Sequence, residues 1–180
     1  MRKYQQLRQQ EFSGFSDTQV TYKKFISVFR ISLVRDRHIK FEQKNITTSQ
    51  EAQGLLKRLI ETQGNPDREQ FCILLLNSKN QIIGLNIVST GDLSSAMIHP
   101  REVLKPAILA NAASMILCHN HPSGDLTPSD GDVAVTKKIV KAAKVMCVAV
   151  HEHLIISMYD NSYYSFADSG LIQQAYQEAD

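Results

Sequence analysis

Apolar and polar positions change period several times along this chain, and each change marks an element. Residues 1–17 are polar and Gln-rich and read as a mobile start. Between 25 and 42, Phe29, Ile31, Leu33, Val34, Ile39 and Phe41 are interleaved with Arg30, Arg35, Arg37 and Lys40, which predicts one or two strands with a solvated charged face. Thr48-Ser49 opens a helix across Gln50–Thr62, with Ala52, Leu55, Leu56, Leu59 and Ile60 on one side, and Gly64-Asn65-Pro66 ends it. Strands at 71–77 and 81–90 follow, joined through Ser78-Lys79-Asn80 as a hairpin. A helix over 101–113 leads into a strand at 114–120. Next comes a helix over 129–144, whose inner face is Val133, Ile139, Val140 and Ala143. A strand at 146–157, a strand near Tyr163–Phe166 and a short helix in Gly170–Asp180 complete the chain. The order predicts an α/β fold: a mixed, mostly antiparallel sheet flanked by helices. No internal repeat is present.

The chemistry is concentrated in residues 119–132, His-Asn-His-Pro-Ser-Gly-Asp-Leu-Thr-Pro-Ser-Asp-Gly-Asp. The apolar run Ser114–Cys118 reads as a buried strand, so His119 and His121 point to one side of it. Pro122-Ser123-Gly124 then reverses the chain, and Ser129 and Asp132 follow at a helix start. Two imidazoles and a carboxylate with a fourth position open have the composition of a catalytic zinc site. His119, His121 and Asp132 are the expected ligands and Zn2+ the expected cofactor. Such an ion lowers the pKa of a water from about 15.7 to about 7. A nearby carboxylate can take the proton and hand it to a leaving amine. Ser129 followed three residues later by Asp132 is also a helix-capping pattern. One side chain does not readily serve fully as both cap and ligand, so Asp132 is expected to ligate while Ser129 caps through its own oxygen.

His-x-His-Pro, six residues, Ser, two residues and Asp resembles the signature of the JAMM (JAB/MPN) metalloproteases. The fuller run His119-Asn120-His121-Pro122-Ser123-Gly124-Asp125, with Pro128, Ser129 and Asp132, resembles their RadC-type branch. Glu69-Gln70-Phe71 before Ile73–Asn77, Ser89-Thr90-Gly91, and His99-Pro100-Arg101-Glu102 with Lys105, Ala107 and Asn111 fit the same pattern. So do Glu152–Ile156 and Tyr164-Ser165, although the family usually has Asp-His where this chain has Glu152-His153. The resemblance covers roughly residues 50–172. It implies a JAB/MPN, cytidine-deaminase-like architecture and hydrolysis of a peptide or isopeptide bond. It also implies Ser129 as the oxyanion donor, a contribution of roughly 3 kcal/mol for one well-placed group. In this fold a catalytic Glu enters the first core strand, and Glu69 sits there. Glu102 is the other candidate base, although an acid opening a helix is favoured by the dipole alone. Glu69 is preferred.

The resemblance also divides the chain: a basic N-terminal extension at 1–45, a RadC-type metal-binding domain at 46–172 and a C-terminal tail at 173–180. Full-length RadC-type proteins often carry a helix-hairpin-helix DNA module. Residues 1–45 hold no Gly-x-Gly hairpin of that kind, so the chain resembles the short, stand-alone form.

A second His-x-His, His151 and His153, follows an apolar run but lacks the turn and the later Asp. It reads as a pair of partly buried strand histidines, with His153 retained by the family pattern. His38 and His99 read as surface or turn residues. Cys72, Cys118 and Cys147 form no CxxC pair and lie in apolar runs, as small hydrophobes do. Cys118 and His119 face opposite sides of a strand, which argues against a Cys/His nucleophile. Unpaired cysteines point to a reducing compartment. With no signal-peptide core and no apolar stretch near the ~20 residues of a membrane helix, the expected location is cytoplasmic, away from membranes.

At 180 residues with 43% hydrophobic content, the chain has the size and core of one ordinary domain. The net charge of +2 hides an asymmetry: residues 1–45 carry ten Lys/Arg against four Asp/Glu, and the rest ten against fourteen. The basic stretch suits nucleic acid, an acidic partner or water alike. Three functions follow. The leading one is a zinc metallo-hydrolase acting on a protein or peptide substrate across an open groove, because the loops are short. The second is a DNA-associated protein of the RadC (DNA repair) family, with no recognition-helix pattern or stacking aromatic set to support it. The third is a non-catalytic JAB-fold interaction module, disfavoured because every ligand is intact.

Overall fold

The computed structural model describes residues 30–36, 38, 40, 45–63, 65–91 and 98–179. The elements are α1 (Ser49–Gln63), β1 (Gln70–Leu76), β2 (Ile82–Thr90), α2 (Pro100–Leu109), β3 (Ser114–Asn120), α3 (Asp130–Val145), β4 (Ala149–Ile156), β5 (Tyr163–Ser165) and α4 (Leu171–Gln177). The strands form one sheet in the order β2-β1-β3-β4-β5. All neighbours are antiparallel except β3 and β4, which run parallel. This is the expected mixed, mostly antiparallel sheet flanked by helices.

β1 and β3 are buried along their whole length, because helices cover the sheet on both faces. On one face Cys72, Leu74, Leu76, Ile116, Cys118, Leu154 and Ile156 share a core with Leu55, Leu56, Leu59 and Ile60 of α1. On the other, Phe71, Ile73, Leu75, Met115, Leu117 and Ile155 meet α2, α3 and α4 through Val103, Ala107, Ile139, Val140, Ile172 and Ala175. The start of α1 is held reciprocally: Glu51 N–H donates to Thr48 Oγ1, and Glu51 Oε2 accepts from Thr48 N–H. No helix among the described residues is long and apolar enough to cross a membrane.

Three expectations from sequence change. Residues 30–36, 38 and 40 have no strand structure and are exposed, Ile31 by 74% and Val34 by 86%. Alternation makes a strand only where a neighbour takes up its backbone groups. The rest of the 25–42 strand expectation, and the polar stretch 1–17, lie outside the described residues. The helix expected to reach Ala113 ends at Leu109, because Asn111 turns left-handed at φ 52° and Ala112 N–H bonds back to Ala107 C=O. The same cap closes α3: Cys147 has φ 55° and Val148 N–H reaches Ala143 C=O. Hence β4 begins at Ala149, and Cys147 is exposed rather than packed as a small hydrophobe.

The β3–β4 register contains one irregularity. Met115 pairs with Val150 but Ile116 pairs with Glu152, so His151 is an extra residue. Val150 lies on the α2–α4 face. Unbroken alternation would send Glu152 there next, but the bulge sends His153 and Ile155 instead. Glu152 goes to the α1 side, where its side chain is an acceptor for four donors. Oε2 takes Ser49 Oγ (2.7 Å) and Ser165 Oγ (2.6 Å), and Oε1 takes the N–H groups of His153 (2.8 Å) and Ala167 (2.9 Å). A glutamine there would aim an NH2 at donors. Glu152→Gln is therefore expected to lower the unfolding free energy by about 2–4 kcal/mol, read from urea denaturation. A change under about 0.5 kcal/mol would refute this account of the bulge.

Candidate metal centre

His119 is the penultimate residue of β3 and faces the α2–α4 side, fully buried between Phe71 of β1 and His153 of β4. His121 lies just past the strand, where Gly124 N–H donates to His121 C=O (3.0 Å) and closes the turn. Gly124 is left-handed at φ 79°, and a Cβ there would meet the Tyr159 ring at 3.1 Å. The backbone conformation thus favours glycine, and a Cβ would also press on the Tyr159 ring. Asp132 sits in the first turn of α3, and Glu69 immediately precedes β1.

The four side chains converge. His119 Nε2 lies 3.0 Å from His121 Nε2 and 3.3 Å from Asp132 Oδ1. His121 Nε2 lies 3.7 Å from Asp132 Oδ2 and 3.8 Å from Glu69 Oε1. Ligand atoms of Glu69, His119 and His121 all fall within 4.8 Å of one another, a grouping that could hold a metal ion.

Hydrogen-bond order assigns the tautomers. Thr136 Oγ1 donates its single proton to Asp132 C=O (2.5 Å). His153 Nδ1, 2.6 Å from the same oxygen, must then be the donor of that pair. His153 Nε2 is left as an acceptor and takes the proton on His119 Nδ1, 2.8 Å away. His119 Nε2 is therefore a bare lone pair. His121 Nδ1 donates to Asp125 C=O (2.6 Å), which leaves its Nε2 bare as well. Two imidazole lone pairs and two carboxylates face one another with no donor among them. That set suits a cation, either a proton on His121 or a divalent metal.

The electrostatics agree. The Asp132 carboxylate would accept from a proton on His121 Nε2, which raises the His121 pKa against the opposing effect of burial. Burial pushes Asp132 up, but the neighbouring His119 and His121 imidazoles, which favour its ionised form, outweigh that and hold it well below the usual carboxylate range. Burial first, then the charge of His119, drives His153 well below 6.5, so it stays a neutral relay.

Asp132 differs from expectation. Its Oδ2 accepts from Ser129 N–H (2.8 Å) and Ser129 Oγ (2.6 Å), and Ser129 Oγ accepts from Asp132 N–H (3.2 Å). The capping box is complete, yet Oδ1 still faces His119, so one carboxylate caps and points into the cluster at once. Of the two candidate bases, Glu69 is brought to the histidines. Glu102 is exposed, bound by Lys105 (2.8 Å) and Arg101 (3.3 Å), and those partners, Lys105 foremost, lower its pKa. His99 caps α2 through Nδ1, His38 and His151 are exposed, and Cys118 faces away from His119 into the α1 core. Sequence reasoning missed Thr136 and the buried role of His153. Only the family-retained His153 carried a signal.

A family model described as RadC-like JAB domain matches residues 46–171. The chain is 40% identical over 146 residues to the UPF0758 protein YfjY of Escherichia coli (strain K12), covering 81% of this chain and 88% of that one. It is 49% identical over 106 residues to a UPF0758 protein of Desulforamulus reducens (59% and 46%). It is 42% identical over 127 residues to one of Rubrobacter xylanophilus (71% and 53%). The chain thus spans about half the length of several curated relatives it matches.

Two outcomes test the geometry. Thr136→Val keeps the shape but removes the end of the relay, and it is expected to weaken divalent-metal binding about 10- to 100-fold in a chelator competition. Unchanged affinity would show that the relay does not orient His119. Proton and metal compete for His121 Nε2, and its pKa is raised. Metal affinity should therefore begin to fall, as pH is lowered, above the ordinary histidine value of about 6.5, by about tenfold per unit. In the metal-free protein the sign reverses: the His121–Asp132 pair stabilises fully below about pH 6.5 and loses that effect as pH rises through the raised value. A binding profile flat from pH 8 to 6 would contradict this.

Proposed function

This chain belongs to the family of RadC-like JAB domains, and from that premise we propose that it is a zinc-dependent metallo-hydrolase cleaving a peptide or isopeptide bond. The observation that carries the reading is the all-acceptor convergence of His119 Nε2, His121 Nε2 and Asp132 Oδ1 beside the Glu69 carboxylate. Imidazole nitrogens with a carboxylate suit zinc, three protein ligands leaving a position open. When bound, zinc would lower the pKa of a water to about 7 and polarise the scissile carbonyl.

The remaining work falls to the chain's own side chains. Glu69, half-buried and ahead of β1, is the general base: its carboxylate takes up a proton and returns it to the leaving amine. Ser129 is the candidate oxyanion donor. Its hydroxyl is turned to Asp132 Oδ2 at 2.6 Å, so donation to substrate needs the hydroxyl to rotate away from that oxygen. The Ser129 N–H keeps Oδ2 fixed through that rotation. The His119–His153–Thr136 relay holds the first ligand in one tautomer throughout. Cytoplasmic residence and a division at residues 1–45, 46–172 and 173–180 are part of the same reading.

A second reading, association with DNA, draws on charge. Residues 1–45 are basic, and Lys138, Lys141 and Lys144 are exposed along α3. Phosphate contacts would make binding weaken steeply with salt. Absence of duplex binding at low salt would dismiss it.

For the hydrolase, one zinc per chain is expected in the wild type and none in His119→Ala or Asp132→Ala. Glu69→Gln should keep its zinc and lose about 10²- to 10⁴-fold in hydrolysis across a panel of peptide and isopeptide-linked fluorogenic substrates. A wild type that takes up no zinc when it is offered, or a fully active Glu69→Gln, would overturn the proposal.

A further inference from the structure

We propose that Asn120, the residue between the two histidines, is the positioning residue for Glu69. The inference rests on the reading of Glu69 as general base. Strand alternation sends the Asn120 side chain to the face opposite His119, where it is fully buried. There its amide meets the backbone that leads into β1. Asn120 Oδ1 accepts from Gln70 N–H at 3.0 Å. Asn120 Nδ2 donates to Arg68 C=O at 3.0 Å and, more weakly, to Pro66 C=O at 3.4 Å.

Those partners bracket one residue. Arg68 C=O belongs to the peptide plane before Glu69, and Gln70 N–H to the plane after it. Gly91 N–H also donates to Glu69 C=O (2.9 Å), gripping the second plane from β2's end. Fixing both planes fixes φ and ψ at Glu69, and with them the direction of its Cβ. The carboxylate is delivered 3.8 Å from His121 Nε2. The three-residue stretch that ends β3 and enters the turn thus carries both histidines on its backbone and sets the base through the side chain between them.

The chemistry selects asparagine. The grip needs a donor and an acceptor on one short planar group, about a peptide's width apart. Aspartate keeps the Gln70 bond but sets a carboxylate oxygen against the carbonyls of Arg68 and Pro66. Alanine leaves a buried N–H and two carbonyls unpaired. Since the amide touches neither histidine side chain, its loss should spare the metal ligands and disturb Glu69.

The test compares wild type, Asn120→Asp, Asn120→Ala, Glu69→Gln and the Asn120→Asp/Glu69→Gln double variant. It reads cobalt(II) uptake, the visible absorption of the cobalt-loaded protein and amide hydrogen exchange of the metal-free protein. Both Asn120 variants are expected to bind one cobalt per chain with affinity within about threefold of wild type. In Asn120→Ala, exchange at Gln70 and Gly91 should accelerate about tenfold or more while Ile73, deep in β1, keeps its wild-type rate. The cobalt band of Asn120→Asp should move toward that of Glu69→Gln, and the double variant should match Glu69→Gln, because a residue acting through Glu69 adds nothing once Glu69 is changed. Unchanged Gln70 exchange in Asn120→Ala overturns the clamp. So does acceleration at Ile73 equal to that at Gln70, which marks a merely structural residue, or a double variant whose shift is the sum of the singles. A wild type that takes up no cobalt is a different failure: it removes the metallo-hydrolase reading, and the role of Asn120 with it.

Discussion

Everything in the site depends on the phase of β3. A strand has two faces, and its alternation cannot be shifted at one residue without shifting all the others. β3 lies at the centre of the sheet, between β1 and β4. Its last residues therefore reach Glu69 at the start of β1 on one side and His153 in β4 on the other. With Leu117 and Met115 locked into the α2–α4 core and Cys118 and Ile116 into the α1 core, His119 has only one direction to point. A slip by one residue would bury His119 under α1 and send Cys118 toward Asp132. The hydrophobic cores thus specify the site's chemistry before any polar contact forms.

Polar contacts then fix what alternation leaves free. A buried imidazole can carry its proton on either nitrogen, and the wrong choice would aim an N–H where a lone pair is required. The decision is made two links along the relay from His119, at Thr136. Its hydroxyl has one proton and gives it to a backbone carbonyl in its own helix, so each histidine after it has one permitted tautomer. Full burial serves the same end by keeping His153 uncharged. The bulge at His151 is what brings His153 to this position. The four bonds to Glu152 hold the strand where the ladder is broken.

The elements that could be read from sequence were those written in local periodicity. The face of α1 and the runs of β1 and β3 need no knowledge of the rest of the chain. His119, His121 and Asp132 were legible for the same reason, since a strand, a turn and a helix start bring them together within fourteen residues. Thr136 and Asn120 were not, because their partners are named only by tertiary contact: a strand beyond α3 in one case, a loop fifty residues earlier in the other. The helix end at Asn111 and the later start of β4, beyond the left-handed turn at Cys147, were missed because neither residue is the glycine that usually marks a left-handed cap. The alternating segment near residue 30 misled because alternation reports a capacity to pair, not the presence of a partner. Capping and ligation were set against each other for Asp132 because residues were counted rather than oxygens. One oxygen caps and the other faces His119.

That division of Asp132 bears on how the site is built. Small zinc domains commonly lack a fold until the ion gathers their ligands. Here each side chain is fixed by something other than the ion. Asp132 is held by a capping box at the head of a sixteen-residue helix, and His119 by a relay and two flanking aromatic rings. His121 is held by the Asp125 carbonyl, and Glu69 by the peptide planes around it. The cost is electrostatic: acceptors crowd together at 3.0 to 3.8 Å. That cost is borne by the folded sheet and helices, which bury their apolar faces independently of the cluster. A site assembled this way exchanges core stability for readiness. Its geometry is set by the fold alone, and the repulsion among its acceptors would favour taking up a cation.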